Sequence, residues 1–101
     1  MVGFNNIKKS VDSGDDLVYT NGTTEDVIVV GMSIANTYTD DMKVTVTLDG
    51  FKIVFEGQIK KGNTMLIGGG NQKVVIKANE EVKVTPLGSA TADVIISMME
   101  E

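Results

Sequence analysis

Met42-Lys43-Val44-Thr45-Val46-Thr47-Leu48-Asp49-Gly50-Phe51-Lys52-Ile53-Val54-Phe55-Glu56-Gly57-Gln58-Ile59 is the stretch that decides the fold. Val44, Val46 and Leu48 share one phase of a two-residue period while Lys43, Thr45 and Thr47 share the other. That is how a strand reads when one face packs on a core and the other meets water. Asp49-Gly50 follows as a two-residue turn of the kind that closes hairpins, because both residues tolerate positive φ. Phe51, Ile53 and Phe55 then resume the alternation against Lys52, Val54 and Glu56. Residues 42 to 59 therefore form an antiparallel hairpin.

The same period continues on both sides of it. Strands are expected at about 15 to 20, 25 to 36, 63 to 67, 72 to 78, 81 to 85 and 91 to 99, and no stretch carries the 3.6-residue period of an amphipathic helix. The separators are turn chemistry: Asn21-Gly22-Thr23-Thr24, Lys61-Gly62-Asn63, Gly68-Gly69-Gly70-Asn71, Asn79-Glu80 and Pro86-Leu87-Gly88-Ser89. Seven or eight short strands in one chain of this length predict an all-β, two-layer antiparallel β-sandwich. An immunoglobulin-like Greek key and a jelly roll share this linear pattern.

The phases that stay apolar predict a core of Ile28, Val30, Met32, Ile34, Val44, Val46, Leu48, Phe51, Ile53, Phe55, Ile59, Leu66, Val74, Ile76, Val82, Val84, Val94 and Ile96. Two strands carry apolar residues in the opposite phase as well, Val27 with Val29 and Ile95 with Met99. Such positions lie under a loop or face a neighbouring subunit. Residues 1 to 14 show no sustained period. They are expected as an extended N-terminal arm ahead of a single sandwich domain at 15 to 101, or as one strand along the edge of that sandwich. The arm's apolar residues, Phe4, Ile7 and Val11, together with Val29 and Met99, are the candidate partner interface.

Composition excludes several kinds of chemistry. The chain has 101 residues, no His and no Cys, so it has no Cys nucleophile, no His general base, no disulfide and no zinc site of the usual kind. Its nine cations are all Lys, a poor set for bidentate contacts to phosphate or guanine, and the formal net charge is -5. The excess acid lies in residues 1 to 50, where eight carboxylates face Lys8, Lys9 and Lys43. Neither nucleic acid nor an anionic membrane is an expected partner. No run is long enough to span a bilayer, and the first residues lack the apolar core of a secretory signal, so synthesis in the cytoplasm is expected.

Individual motifs add little. Gly57, Gly62 and Thr64 follow part of a phosphate-loop spacing, but Asn63 stands where that loop needs Lys. Gly68-Gly69-Gly70-Asn71 reads as a flexible turn in preference to an anion nest. Asp12, Asp15 and Asp16, with Asp40 and Asp41, lack the spacing of an EF-hand and leave only a weak calcium site as an alternative. Asn21-Gly22-Thr23 matches a glycosylation sequon. No pair of carboxylates is placed for glycoside hydrolysis, Asp93 being the nearest to an apolar setting. No cofactor, metal or small-molecule substrate is expected.

One further pattern is the order of motifs. Ile34-Ala35-Asn36, Val44-Thr45-Val46-Thr47, Gly57-Gln58-Ile59-Lys60-Lys61-Gly62, the Lys77-to-Val84 turn and strand, and Asp93-Val94-Ile95-Ile96-Ser97 follow one another over about three quarters of the chain. This order resembles small structural proteins of tailed-bacteriophage virions. Asn79-Glu80 and Lys60-Lys61 depart from the Gly-Asp and Pro-bearing turns common in that group. The resemblance implies a non-enzymatic subunit of a virion, either a capsid decoration protein or a neck, tail or baseplate component. Its partners would be other virion proteins and copies of itself, as a trimer or larger homo-oligomer. The contrasting expectation is a carbohydrate- or cell-surface-binding sandwich. That reading wants aromatic platforms, and the chain offers no Trp and, outside the predicted core and the arm's Phe4, only Tyr19 and Tyr38.

Overall fold

The computed structural model describes residues 3–67 and 74–100. Among these the chain forms nine strands: β1 (Gly3–Val11), β2 (Leu17–Thr20), β3 (Val27–Asn36), β4 (Met42–Leu48), β5 (Phe51–Ile59), β6 (Thr64–Ile67), β7 (Val74–Ile76), β8 (Glu81–Pro86) and β9 (Ala92–Glu100). Two antiparallel sheets pack face to face as a β-sandwich. One runs β1-β9-β3-β6, with β7 also paired to β3, and the other runs β2-β8-β4-β5. The pairings are nested: first strand with last, β2 with β8, β3 with β6 and β7, β4 with β5. A long hairpin wrapped over two layers in this way is a jelly roll, which separates the two topologies that share the linear pattern.

The hairpin at 42 to 59 forms as its sequence predicts. Asp49 and Gly50 have φ of 49° and 86°, the two positive values of a type I′ turn, and its twist matches that of the strands it joins. The inner residues of β4, Met42, Val44 and Val46, are buried.

β5 departs from strict alternation. Its register against β4 slips twice, between Val44 and Val46 and between Val46 and Thr47, so that β5 spends extra residues on the same length of partner. Glu56, at φ 49°, lies within the first slip and donates its N–H to Thr45 Oγ1 at 3.2 Å. The slips turn Ile53 and Phe55 out of the predicted core, Phe55 being 64% exposed, and bring Val54 inward in their place, while Ile59 is buried as expected. Phe51 keeps its register opposite Leu48 but, beside the turn, is 81% exposed. Gly57 faces inward where a Cβ would lie 2.6 Å from Val54 Cγ1 and 2.9 Å from Met65 Cε, so the absence of a side chain lets β5 close over β6.

A second bulge turns β3. Against β9 the register shifts between Val29 and Gly31, adding one residue and reversing the inward phase. Val27 and Val29 are therefore buried ahead of the bulge, and Met32 and Ile34 are buried beyond it. Ile28 and Val30, predicted inward, are only half-buried. Leu66 on β6 likewise points outward.

Residues 3 to 11 take the second of the two placements open to them. β1 pairs with β9 along its whole length, from Gly3 opposite Glu100 to Val11 opposite Ala92. Val11 lies in the core and Ile7 packs against it.

Two asparagines tie the sheets together at opposite ends of β3. Asn21 is fully buried: its amide nitrogen donates to the carbonyls of Glu25 and Ile76, each at 2.9 Å, and its Oδ1 accepts from the N–H and hydroxyl of Thr23. Asn36 repeats the device, donating to Asp40 O and Ile59 O while accepting from Tyr38 N–H. The first joins the loop after β2 to β7, and the second joins β3 to β5. Because its amide is committed and enclosed, Asn21 presents no glycan acceptor on the folded surface.

Candidate interaction surface

Side chains of paired residues in a sheet point to the same side, so the register lists what each outer face displays. On the four-stranded sheet, Lys43 stands opposite Gln58, Thr45 opposite Thr85, and Thr47 opposite Lys83. The middle of that face is polar, and its exposed apolar residues stand on the two edge strands: Leu17 of β2, opposite Lys83, and Phe51, Ile53 and Phe55 of β5.

The outer face of the five-stranded sheet is different. Phe4 pairs with Met99, Met99 with Ile28, and Ile28 with Val75, forming an apolar row across β1, β9, β3 and β7. A second row runs Lys8, Ile95, Ser33, Leu66. Phe4 is 78% exposed and Leu66 79%, with Ile95 and Val75 also at the surface. The charged side chains on this face among the paired positions are Lys8 and Asp93, and Asp93 accepts a 2.6 Å bond from Ser10 Oγ. Between Leu66 and Ile95 the surface dips, because Gly31, Ser33 and Ser97 put little on the sheet there. The depression measures about 260 Å³.

The five residues proposed from sequence as an interface separate in the structure. Phe4 and Met99 come together as register partners on the apolar face. Ile7 turns inward, half-buried against the core. Val11 and Val29 are each 2% exposed and belong to the core, so neither can meet a partner: Val11 because β1 is a paired strand, Val29 because the bulge reverses its phase. Ile28, Val75 and Leu66 join the face without having been expected there. Besides Phe4, proposed as part of an arm, only the opposite-phase pair Ile95 and Met99 carried a sequence signal for it.

The remaining motifs resolve into local structure. Asp12 Oδ1 accepts from the N–H groups of Gly14 and Asp15, both at 2.8 Å. Asp15 pairs with Lys9 at 3.1 Å, and Asp16 accepts from the Thr85 hydroxyl. Asp41 caps the Lys61 N–H, and Asp40 accepts from Asp41 N–H. Each of these carboxylates serves a turn or a strand end, and among the described residues no three potential ligands converge. Gly68-Gly69-Gly70-Asn71 lies outside the described residues. Tyr19 and Tyr38 are half-buried against the core, and the ammonium of Lys52 sits 5.5 Å from the centre of the Phe55 ring.

Fold and surface together define a jelly-roll sandwich in which exposed apolar residues cross the outer face of one sheet and stand at the edges of the other. No protein-family model matches the chain, and no curated protein does either. Among solved structures it is similar to a chain from work reporting that Bacillus endospore appendages form a novel family of disulfide-linked pili. That match has 11% identity and a TM-score of 0.51, covering 97% of this chain and 86% of the other. At such identity the likeness is one of fold.

Proposed function

We propose that this protein is a non-enzymatic structural subunit that joins copies of itself into a multi-subunit assembly through the outer face of its five-stranded sheet. The observation that carries this reading is the contrast between the two outer faces. Lys, Thr and Gln cover the middle of one sheet, whose exposed apolar residues are confined to its edge strands β2 and β5, whereas Phe4, Met99, Ile28, Val75, Leu66 and Ile95 run across the strands of the other. A wet β-sheet face of a soluble monomer needs no such set, and contiguous exposed apolar surface marks a place of association. Each contact is modest, and repetition over many copies multiplies it.

The solved neighbour comes from a pilus, which supports a polymer-forming role for a fold of this kind. This chain has no Cys, so its contacts would be non-covalent throughout. A particle of the tailed-phage type, as decoration or tail subunit, is the finer form of the proposal. The order of motifs from Val27 onward favours it.

Mass in solution tests the reading. Light scattering over a range of concentrations should give multiples of 10.8 kDa for the unaltered chain, and Leu66→Glu should raise at least tenfold the concentration at which those multiples appear. A single-copy mass at every concentration for the unaltered chain would overturn the proposal.

A further inference from the structure

The apolar face is one of two exposed apolar features, and they lie on different sides of the molecule. The other is the β4–β5 hairpin at the edge of the opposite sheet, where Phe51 beside the turn is 81% exposed and Phe55 64% exposed. Phe51 and Phe55 leave on the order of 290 Å² of aromatic surface in water, taking about 200 Å² for each, which is about a third of the ~800 Å² that one partner contributes to an ordinary stable interface.

The geometry points to a head-to-tail contact between copies of this chain, in which the Phe51–Phe55 edge of one copy seats in the depression between Leu66 and Ile95 of the next. This deepens the proposed structural role and rests on it. Three observations select this occupant. The depression is floored by Gly31, Ser33 and Ser97 and holds about 260 Å³, room for an aromatic side chain against apolar walls. Buried aromatic anchors of this kind dominate binding energy.

The charges also match. Phe55 is flanked by Lys52, whose ammonium lies 5.5 Å from the ring centre, and by Glu56. Through Ile95 the depression adjoins a second hollow lined by Lys8, Lys9 and Asp93; Lys9 is already paired with Asp15 at 3.1 Å, which leaves Lys8 and Asp93, one of each sign. Lys52 can meet Asp93 while Glu56 meets Lys8, so the contact adds no net charge to a chain that carries -5.

Finally, the two register slips on β5 spoil it as a straight template for strand addition. That leaves side chains, and not backbone ladders, to make the contact. A knob and a socket on separate surfaces of one chain form a heterologous pair, which propagates as a ring or filament and is not consumed in a closed dimer.

Mixing two variants tests this directly. The knob variant combines Phe51→Ser with Phe55→Ser, and the socket variant combines Leu66→Glu with Ile95→Ser. All four positions reach solvent, and thermal melts of both variants should stay cooperative. Each variant alone should have the mass of one copy by sedimentation velocity. Their equimolar mixture should yield a dimer and nothing larger, because one intact knob and one intact socket remain in each pair. Four results would overturn the contact: a knob variant that assembles like the unaltered chain, a socket variant that does so, a mixture that stays at one copy, or a mixture that exceeds two. If the unaltered chain assembles in those cases, the structural role stands without this contact. If the unaltered chain is itself a single copy, both fall together.

Discussion

Asn21 shows how much one residue carries in this sandwich. A buried amide with two donated and two accepted bonds is satisfied in full, and removing it takes a donor from the Ile76 carbonyl and leaves the Glu25 carbonyl with the Thr23 hydroxyl. Asn21→Ala should therefore cost about 2 to 4 kcal/mol in a urea unfolding series. Asn21→Asp should cost more than Asn21→Ala, since a carboxylate places oxygen against both carbonyl oxygens in an enclosed site. Equal stability of the three chains would show that the amide does not join the sheets. In sequence Asn21-Gly22-Thr23 reads as a turn, and a turn it is. The part out of reach was the partner at Ile76, because a hydrogen bond across 55 positions leaves no local trace.

At the scale of the element, β1 tests how the sandwich is closed. Its nine positions pair with β9, and Val11 and Ile7 bring apolar surface to the core. Burying one Val side chain is worth about 1.5 to 3 kcal/mol, against a total stability of roughly 5 to 15 kcal/mol for a domain. Deleting residues 1 to 11 should accordingly lower the melting temperature by at least ten degrees or abolish cooperative unfolding, with the bared edge of β9 prone to association. An unchanged melt would identify the segment as a dispensable arm. The segment's sequence, Gly3-Phe4-Asn5-Asn6-Ile7-Lys8-Lys9-Ser10-Val11, hides its strand character because an edge strand has few neighbours to please. Only Ile7 and Val11 need to be apolar. The hairpin at 42 to 59 is the opposite case: its alternation and Asp-Gly turn were legible, yet the two bulges moved Ile53 and Phe55 from core to surface, and Phe51 is exposed beside the turn.

For the whole molecule, charge and shape act in opposite directions. A net charge of -5 makes copies repel one another, whereas the apolar face of the five-stranded sheet offers Lys8 and Asp93 as a balanced pair. Salt screens the repulsion and leaves apolar burial in place. The mass of the assembled protein should rise as salt goes from about 0.05 M to about 0.5 M, a range over which the screening length falls from above 10 Å to about 4 Å. A mass that falls with salt would mean that ion pairs, and not the apolar face, hold the copies together.

What the sequence determined by itself is the class: all-β, two layers, a hairpin at 42 to 59, turns at Asn21, Gly62, Asn79 and Gly88. Each rests on local physics, because a two-residue period and residues suited to positive φ act within a few positions of themselves. The tertiary structure alone decided which strands pair beyond that hairpin, and which phase faces inward where both are apolar. Along Val27-Ile28-Val29-Val30 hydrophobicity is the same on either side, so a single extra residue opposite β9 settles which half is core. That choice buries Val29, and it leaves Ile28 beside Met99 and Val75 on the outer face. The physical reason is that a bulge and a non-local pairing are properties of two strands together, and neither strand states them alone.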